Sequence, residues 1–229
     1  MNELSKSNPV VFSAGLGKTY EAKGKKVVAL DGISLEVNAG EFVSVCGPSG
    51  CGKSTLLLIL GLLLKQDEGS LKLSGTDVSD LSQSSKSSFR AEHIGFVFQD
   101  FHLIPYLSVM DNILVPSLAK PVENAADRAR MLLSEMGIEN RCDHLPSALS
   151  AGERQRTALV RALLLQPELI LADEPTGNLD RENSTIVLDH LAGYTDRGGA
   201  VIMATHDNEA MERTGTRIVL DEGRQISSK

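Results

Sequence analysis

GPSGCGKST, residues 47–55, stands between EFVSVCG (41–47), an apolar and β-branched run, and the leucine-rich stretch that begins at Lys53. It matches G-x-x-x-x-G-K-[ST], and a strand before it with a helix after it is the setting in which that pattern cradles phosphate groups. The glycines free the backbone to turn successive N–H groups inward. Lys53 adds a point charge for the β- and γ-phosphates of a nucleotide, and Ser54 offers its hydroxyl to Mg2+. A helix from Lys53 to about Leu64 adds the positive end of its dipole. Gly47, Pro48, Ser49, Gly50, Cys51, Gly52, Lys53, Ser54 and Thr55 are therefore expected to line the phosphates. A modified thiol at Cys51 is expected to crowd the β-phosphate, the alternative being that Cys51 points away from the site and reacts without effect, whereas Cys46, in the preceding strand, is expected to be buried and inert.

On either side of the loop the pattern alternates between strand and helix. VVFSAGLGKTY (10–20) and KVVALDGISLEV (26–37) read as strands joined by a solvated turn at KGKK (23–26). Two shorter strand signals follow the loop helix, SLKLSG (70–75) and IGFVFQ (94–99). In PVENAADRARMLLSEMG (121–137), Val122, Ala125, Ala129, Leu132, Leu133 and Met136 share one helical face, and Gly137 is placed to end the helix. ELILADEP (168–175) and GAVIMATHD (199–207) are apolar strands that end in acidic or polar residues, with a helix over about 183–192 between them. Such alternation builds a parallel sheet with helices on both faces, and ligands bind at the carboxyl ends of its strands.

Those ends carry the remaining candidates. Asp173 is placed to hold Mg2+ opposite Ser54, and Glu174, one residue on, to polarise a water for attack on a γ-phosphate. Gln99 ends GFVFQ, where it reaches Mg2+ or that water, and His206 ends VIMATH, where it reaches the γ-phosphate. Tyr20 precedes the loop by about one hairpin and can stack on an adenine. Further on, SALSAGERQR (147–156) opens a helix: Ser150 is an N-cap and Glu153 completes a capping box. Ala151 and Gly152, beside the cap, are small enough to let something approach the backbone.

Together these residues resemble the nucleotide-binding subunits of ATP-binding cassette (ABC) transporters along essentially the whole chain. In family order they are Tyr20 at the A-loop, GPSGCGKST as Walker A, Gln99 at the Q-loop, and LSAGERQR (149–156) as the signature. LILADE (169–174) as Walker B, GNLD (177–180) as the D-loop and His206 as the switch histidine follow. The resemblance implies an α/β fold: a P-loop NTPase core with a mostly parallel sheet, an N-terminal antiparallel β subdomain and an inserted helical subdomain. The single domain would divide into a core (1–99 and 166–229) and a helical subdomain (100–165). It also implies an ATPase that binds ATP and Mg2+ and forms a homodimer on MgATP binding. Each ATP would lie between one Walker A loop and the partner's signature, with Ser150, Ala151, Gly152 and Asp180 among the nucleotide-binding residues. The family usually has glycine where this chain has Ala151; alanine is harmless there if the residue is helical.

The stretch VFQDFHLIPYLSVMDNILVP (97–116), with GERQR and GNLD, is similar to the group serving lipoprotein release, macrolide export and cell division. The expected partner is an integral membrane permease subunit, docked on Phe101, Leu103, Ile104 and Tyr106, which alternatively form the core of the helical lobe. A regulatory role in cell division without transport is the alternative function. A soluble translation or repair cassette, and a small-molecule kinase, fit the motif set less well.

Composition agrees with this frame. A net charge of −7 and 30 acidic against 23 basic residues oppose nucleic acid as a partner, because phosphate backbones demand a basic face. Three cysteines without CxxC spacing indicate free thiols in a reducing compartment, and the five histidines show no metal-ligand spacing. The first ten residues, MNELSKSNPV, have no signal-peptide core. LLLILGLLL (56–64) is nine residues, half of the roughly 18 that span a bilayer. No direct membrane insertion is therefore expected, and the chain is placed in the cytoplasm, peripheral on the inner-membrane face through its partner.

Overall fold

A computed structural model describes residues 8–22 and 24–228; Lys23 of the expected KGKK turn lies outside them. Two long strands, β1 (Val11–Ala22) and β2 (Lys25–Val37), pair antiparallel as their alternation requires. From Ile33 to Val37 every second residue of β2 is buried. With β4 (Glu68–Leu73) and β5 (Thr76–Asp77) they form a four-stranded antiparallel sheet in the order β2-β1-β4-β5.

The second sheet holds the centre of the molecule. It contains β3 (Phe42–Cys46), β6 (Ile94–Val97), β7 (Leu169–Asp173), β8 (Ala200–Ala204), β9 (Thr216–Asp221) and β10 (Arg224–Ser228), in the order β10-β9-β3-β8-β7-β6. All neighbours are parallel except the final β9–β10 hairpin. β3 and β8 are buried throughout, and so read as unbroken apolar runs, because both faces of the sheet are covered. Successive residues point to opposite faces. Val43, Val45, Leu171 and Ile202 face helix α1 (Lys53–Leu60), in a core that continues into the antiparallel sheet through Val11, Ile33 and Leu71. Ile170, Ala172, Val201 and Met203 face the other way, into a core built with α3 (Val109–Leu114), α4 (Ala125–Glu135), α5 (Ala151–Leu163) and α6 (Arg181–Asp196).

Several boundaries differ from the sequence pattern. α1 stops at Leu60, because Leu62 turns left-handed (φ 56°) and a Cβ on Gly61 would stand 2.7 Å from the Phe96 ring. Val122 precedes α4 and lies outside it, whereas Gly137, at φ 67°, follows the helix end as expected. α6 runs longer than 183–192 because the Asp180 side chain caps it from Asn183 N–H onward. α2 (Gln83–His93), α7 (Asn208–Glu212) and the β9–β10 hairpin were not foreseen. α2 is rich in serine, but Ser82 caps its first turn and Phe89 anchors it to the core.

Candidate nucleotide site

The Gly47–Thr55 loop leaves β3 and enters α1. Gly47 has φ 143°, and a Cβ there would run into the Leu220 carbonyl and stand 2.8 Å from Cys51 Sγ, so only glycine fits. Lys53 folds back across the loop: its ammonium donates to the Gly47 carbonyl at 2.9 Å and to Pro48 at 3.3 Å. The cation thus sits inside the curve of the loop, while Pro48, Ser49, Gly50 and Ser54 stay exposed. Cys51 departs from expectation. Its side chain is 3 % exposed and belongs to the core with Leu56 and Leu220, so only its backbone faces the loop and an alkylating reagent has no access to the thiol. Cys46 is buried as expected, and burial pushes its thiol pKa up.

Because β3, β8, β7 and β6 are neighbours in that order, their carboxyl ends set four groups side by side along one edge. The loop comes first, then His206 two residues past β8, then Asp173 and Glu174 at the end of β7, then Gln99 two residues past β6. Gln99 sits in a turn beyond the strand it was expected to end, held by the Asn178 side chain, whose Nδ2 donates to the Gln99 carbonyl at 3.3 Å. Asp173 Oδ1 is buried and has no hydrogen-bond partner. Burial raises the carboxyl's pKa and the nearby Glu174 adds to this; the Ser54 hydroxyl and Lys53 pull the other way. A hard, partnerless oxygen beside a hydroxyl is the donor chemistry that Mg2+ takes up, with further ligands drawn from phosphates and water.

Glu174 turns left-handed (φ 45°), and its N–H donates to the Ala204 carbonyl at 2.9 Å. Its carboxylate meets His206, whose Nδ1–H donates to Oε1 at 2.8 Å. A carboxylate and an imidazole, groups of the kind that accept and release protons, are thus in direct contact. Tyr20 lies 39 % exposed beside the end of the loop, its hydroxyl 3.5 Å from Thr55 Oγ1 and the Lys18 ammonium 5.9 Å from its ring centroid.

The signature stands apart from this group. Ser150 caps α5 in the expected box: Glu153 N–H donates to Ser150 Oγ at 3.2 Å, and Ser150 N–H to Glu153 Oε2 at 2.7 Å. Arg141, which the sequence did not flag, braces the other oxygen of Glu153 at 2.7 Å. Ala151 is the first helical residue and keeps a negative φ, so alanine costs nothing there. Gly152 is small for a second reason: a Cβ on it would fall on Asn183 Oδ1 of α6. Its close approach is made by its own chain. Asn183 in turn donates from Nδ2 to both carboxylate oxygens of Asp180, at 2.8 and 2.9 Å. No sequence pattern pointed to Asn183, because its contacts exist only once α5 and α6 pack.

Comparison with known proteins agrees with this geometry. The family model described as ABC transporter matches residues 30–177. The lipoprotein-releasing system ATP-binding protein LolD 1 of Caulobacter vibrioides is 41 % identical over 223 residues, covering 96 % of this chain and 95 % of that protein. The macrolide export ATP-binding/permease protein MacB of Chlorobium phaeobacteroides is 39 % identical over 97 % of this chain, which spans only 34 % of that longer protein. Among solved structures, the dimeric post-hydrolysis state of the ATP-binding cassette MJ0796, bound to ADP and Pi, superposes with a TM-score of 0.90 at 34 % identity, covering 96 % of this chain and 97 % of that one. A loop built for phosphates, on a chain this similar to ATP-hydrolysing cassettes, places the protein in the ABC transporter family as an ATP-binding and ATP-hydrolysing subunit.

Proposed function

We propose that this subunit works as a homodimer closed around two MgATP and drives a separate membrane permease of the lipoprotein-releasing or macrolide-export kind. The observation that carries the chemical reading is the row of strand ends, which sets Lys53, His206, Asp173, Glu174 and Gln99 beside one phosphate loop. Backbone N–H groups of the loop and Lys53 bind the β- and γ-phosphates. Ser54, Asp173 and Gln99 would hold Mg2+, which would neutralise phosphate charge; the orphaned Asp173 oxygen fits that use. Glu174 takes a proton from the attacking water, His206 steadies the γ-phosphate, and Tyr20 stacks on the adenine. In the dimer, Ser150, Ala151 and Gly152 present the α5 N-terminus to the partner's γ-phosphate, and Asp180 lies beside it.

For the membrane partner, the support is a groove of about 420 Å³ next to the Gln99 turn, lined by Phe98, His102, Ile104, Val115, Pro116 and Leu165 among others. Tyr106 nearby is 78 % exposed and Leu118 84 %, while Phe101, Leu103 and Ile104 are only half-buried; none of these belongs to the core. Among the described residues no helix is long and apolar enough to cross a membrane. A subunit of this kind attaches to the cytoplasmic face through its partner, the helical segment 100–165 moving with the permease against a core of 1–99 and 166–229. The test is ATP turnover. Glu174→Gln should lose hydrolysis by about 100-fold or more while MgATP binding persists; turnover at the parent rate would remove Glu174 from its role.

A further inference from the structure

Asn183 joins two parts of the molecule that the proposed mechanism treats separately. Both ends of its amide are engaged. Nδ2 donates to both carboxylate oxygens of Asp180, and Oδ1 accepts from Arg156 Nη1 on α5. That same Oδ1 lies where a Cβ on Gly152 would stand, so the amide rests directly on the α5 backbone, one residue past the first turn's Ala151. Asp180 ends a tight turn that begins at Glu174, where Gly177 N–H donates to the Glu174 carbonyl at 3.1 Å and Leu179 N–H to Thr176 at 3.1 Å. The Gln99 carbonyl is tied to the same turn through Asn178. A continuous set of contacts therefore runs from Glu174 and Gln99, through Asp180 and Asn183, to the N-terminus of α5.

This link is poorly made as a stabilising device. Arg156 Nε is buried and has no partner, and a half-satisfied polar network is a weak source of stability. The α6 cap does not depend on the amide either, because Asp180 Oδ1 is met by the backbone N–H of Asn183 at 2.8 Å. We infer that Asn183 is a positioning residue: it sets the α5 N-terminus against the turn that carries Glu174, so that the surface offered to the partner's ATP is in register with the subunit's own hydrolytic group. The inference rests on the reading that the α5 N-terminus meets the partner's nucleotide.

Dimerisation of the full chain in the Glu174→Gln background tests it, by sedimentation with MgATP, alongside MgATP affinity at protein concentrations that keep the chain monomeric, and the melting midpoint. Asn183→Ala should weaken the MgATP-dependent dimer about tenfold or more while monomer affinity stays within about twofold and the midpoint is unchanged. Asn183→Asp keeps the shape and the acceptor for Arg156 but sets a second carboxylate against Asp180, and should weaken the dimer to a similar degree. If the alanine variant does not fold, the aspartate variant carries the test. Dimers as tight as the Glu174→Gln parent overturn the role of Asn183. A loss of midpoint and monomer affinity in step with dimerisation makes Asn183 a merely structural residue and overturns it too. Failure of the parent itself to dimerise on MgATP is a different result: it removes the shared-ATP reading first, and the inference with it.

Discussion

At Asp173 the chain keeps a carboxylate where burial opposes its charge and its Oδ1 has no hydrogen bond. Its pKa is raised on folding, so its ionisation works against the folded state, and that cost grows as pH rises through and above the ordinary value of 3.8. Asp173→Asn should therefore raise the melting midpoint in EDTA at neutral pH, by a few degrees for about 1 kcal/mol, and abolish Mg2+-dependent hydrolysis. A lower midpoint would mean the carboxylate is stabilising as it stands. At this scale the sequence was most legible where the chemistry is contiguous. Lys53, Asp173 and Glu174 are fixed by short spacings next to strands, so their placement needed no tertiary knowledge. Cys51 sits inside the same motif yet points into the core, because a loop that turns its N–H groups inward must turn some side chains outward. Spacing alone does not say which.

At the scale of elements, the α5 N-terminus was readable in full: Ser150 and Glu153 form both bonds of the capping box. Glu153 is also held by Arg141, and its pKa is lowered chiefly by the Ser150 N–H. A lowered carboxylate contributes stability that is present above its ordinary value of 4.5 and lost as pH falls through the folded value. Glu153→Ala is predicted to destabilise the protein by about 1 kcal/mol at pH 7, or roughly 2–4 °C in melting midpoint. The gap between parent and variant should narrow in acid; a constant gap from pH 7 down to about 3 would show that the cap's charge contributes nothing. α2 was invisible for the opposite reason. Five serines in its neighbourhood have weak helix propensity, and the helix persists through the Ser82 cap and the packing of Phe89 rather than through pattern. The β9–β10 hairpin escaped notice because β9 matters only as the neighbour of β3, a pairing some 170 residues apart in sequence.

At the scale of the whole molecule, the proposed mechanism assigns hydrolysis to the groups at one sheet edge and gives the α5 N-terminus and the groove beside Gln99 to other subunits. Tyr106→Glu is predicted to leave the isolated subunit's ATP turnover within about twofold and to abolish co-purification with the proposed membrane subunit, because an aromatic this exposed contributes to docking rather than to folding. Retained co-purification would move the docking site away from this groove. The sequence already implied that Ser150, Ala151 and Gly152 serve another copy. The structure adds that Ala151 is helical and that Gly152 is already in contact with Asn183, so in the proposed dimer a partner's phosphate would approach over Ser150 and Ala151. The most direct measurement is sedimentation of Glu174→Gln with and without MgATP. A dimer that forms only with MgATP is predicted; a chain that binds MgATP yet stays monomeric at every accessible concentration would contradict a site shared between two copies.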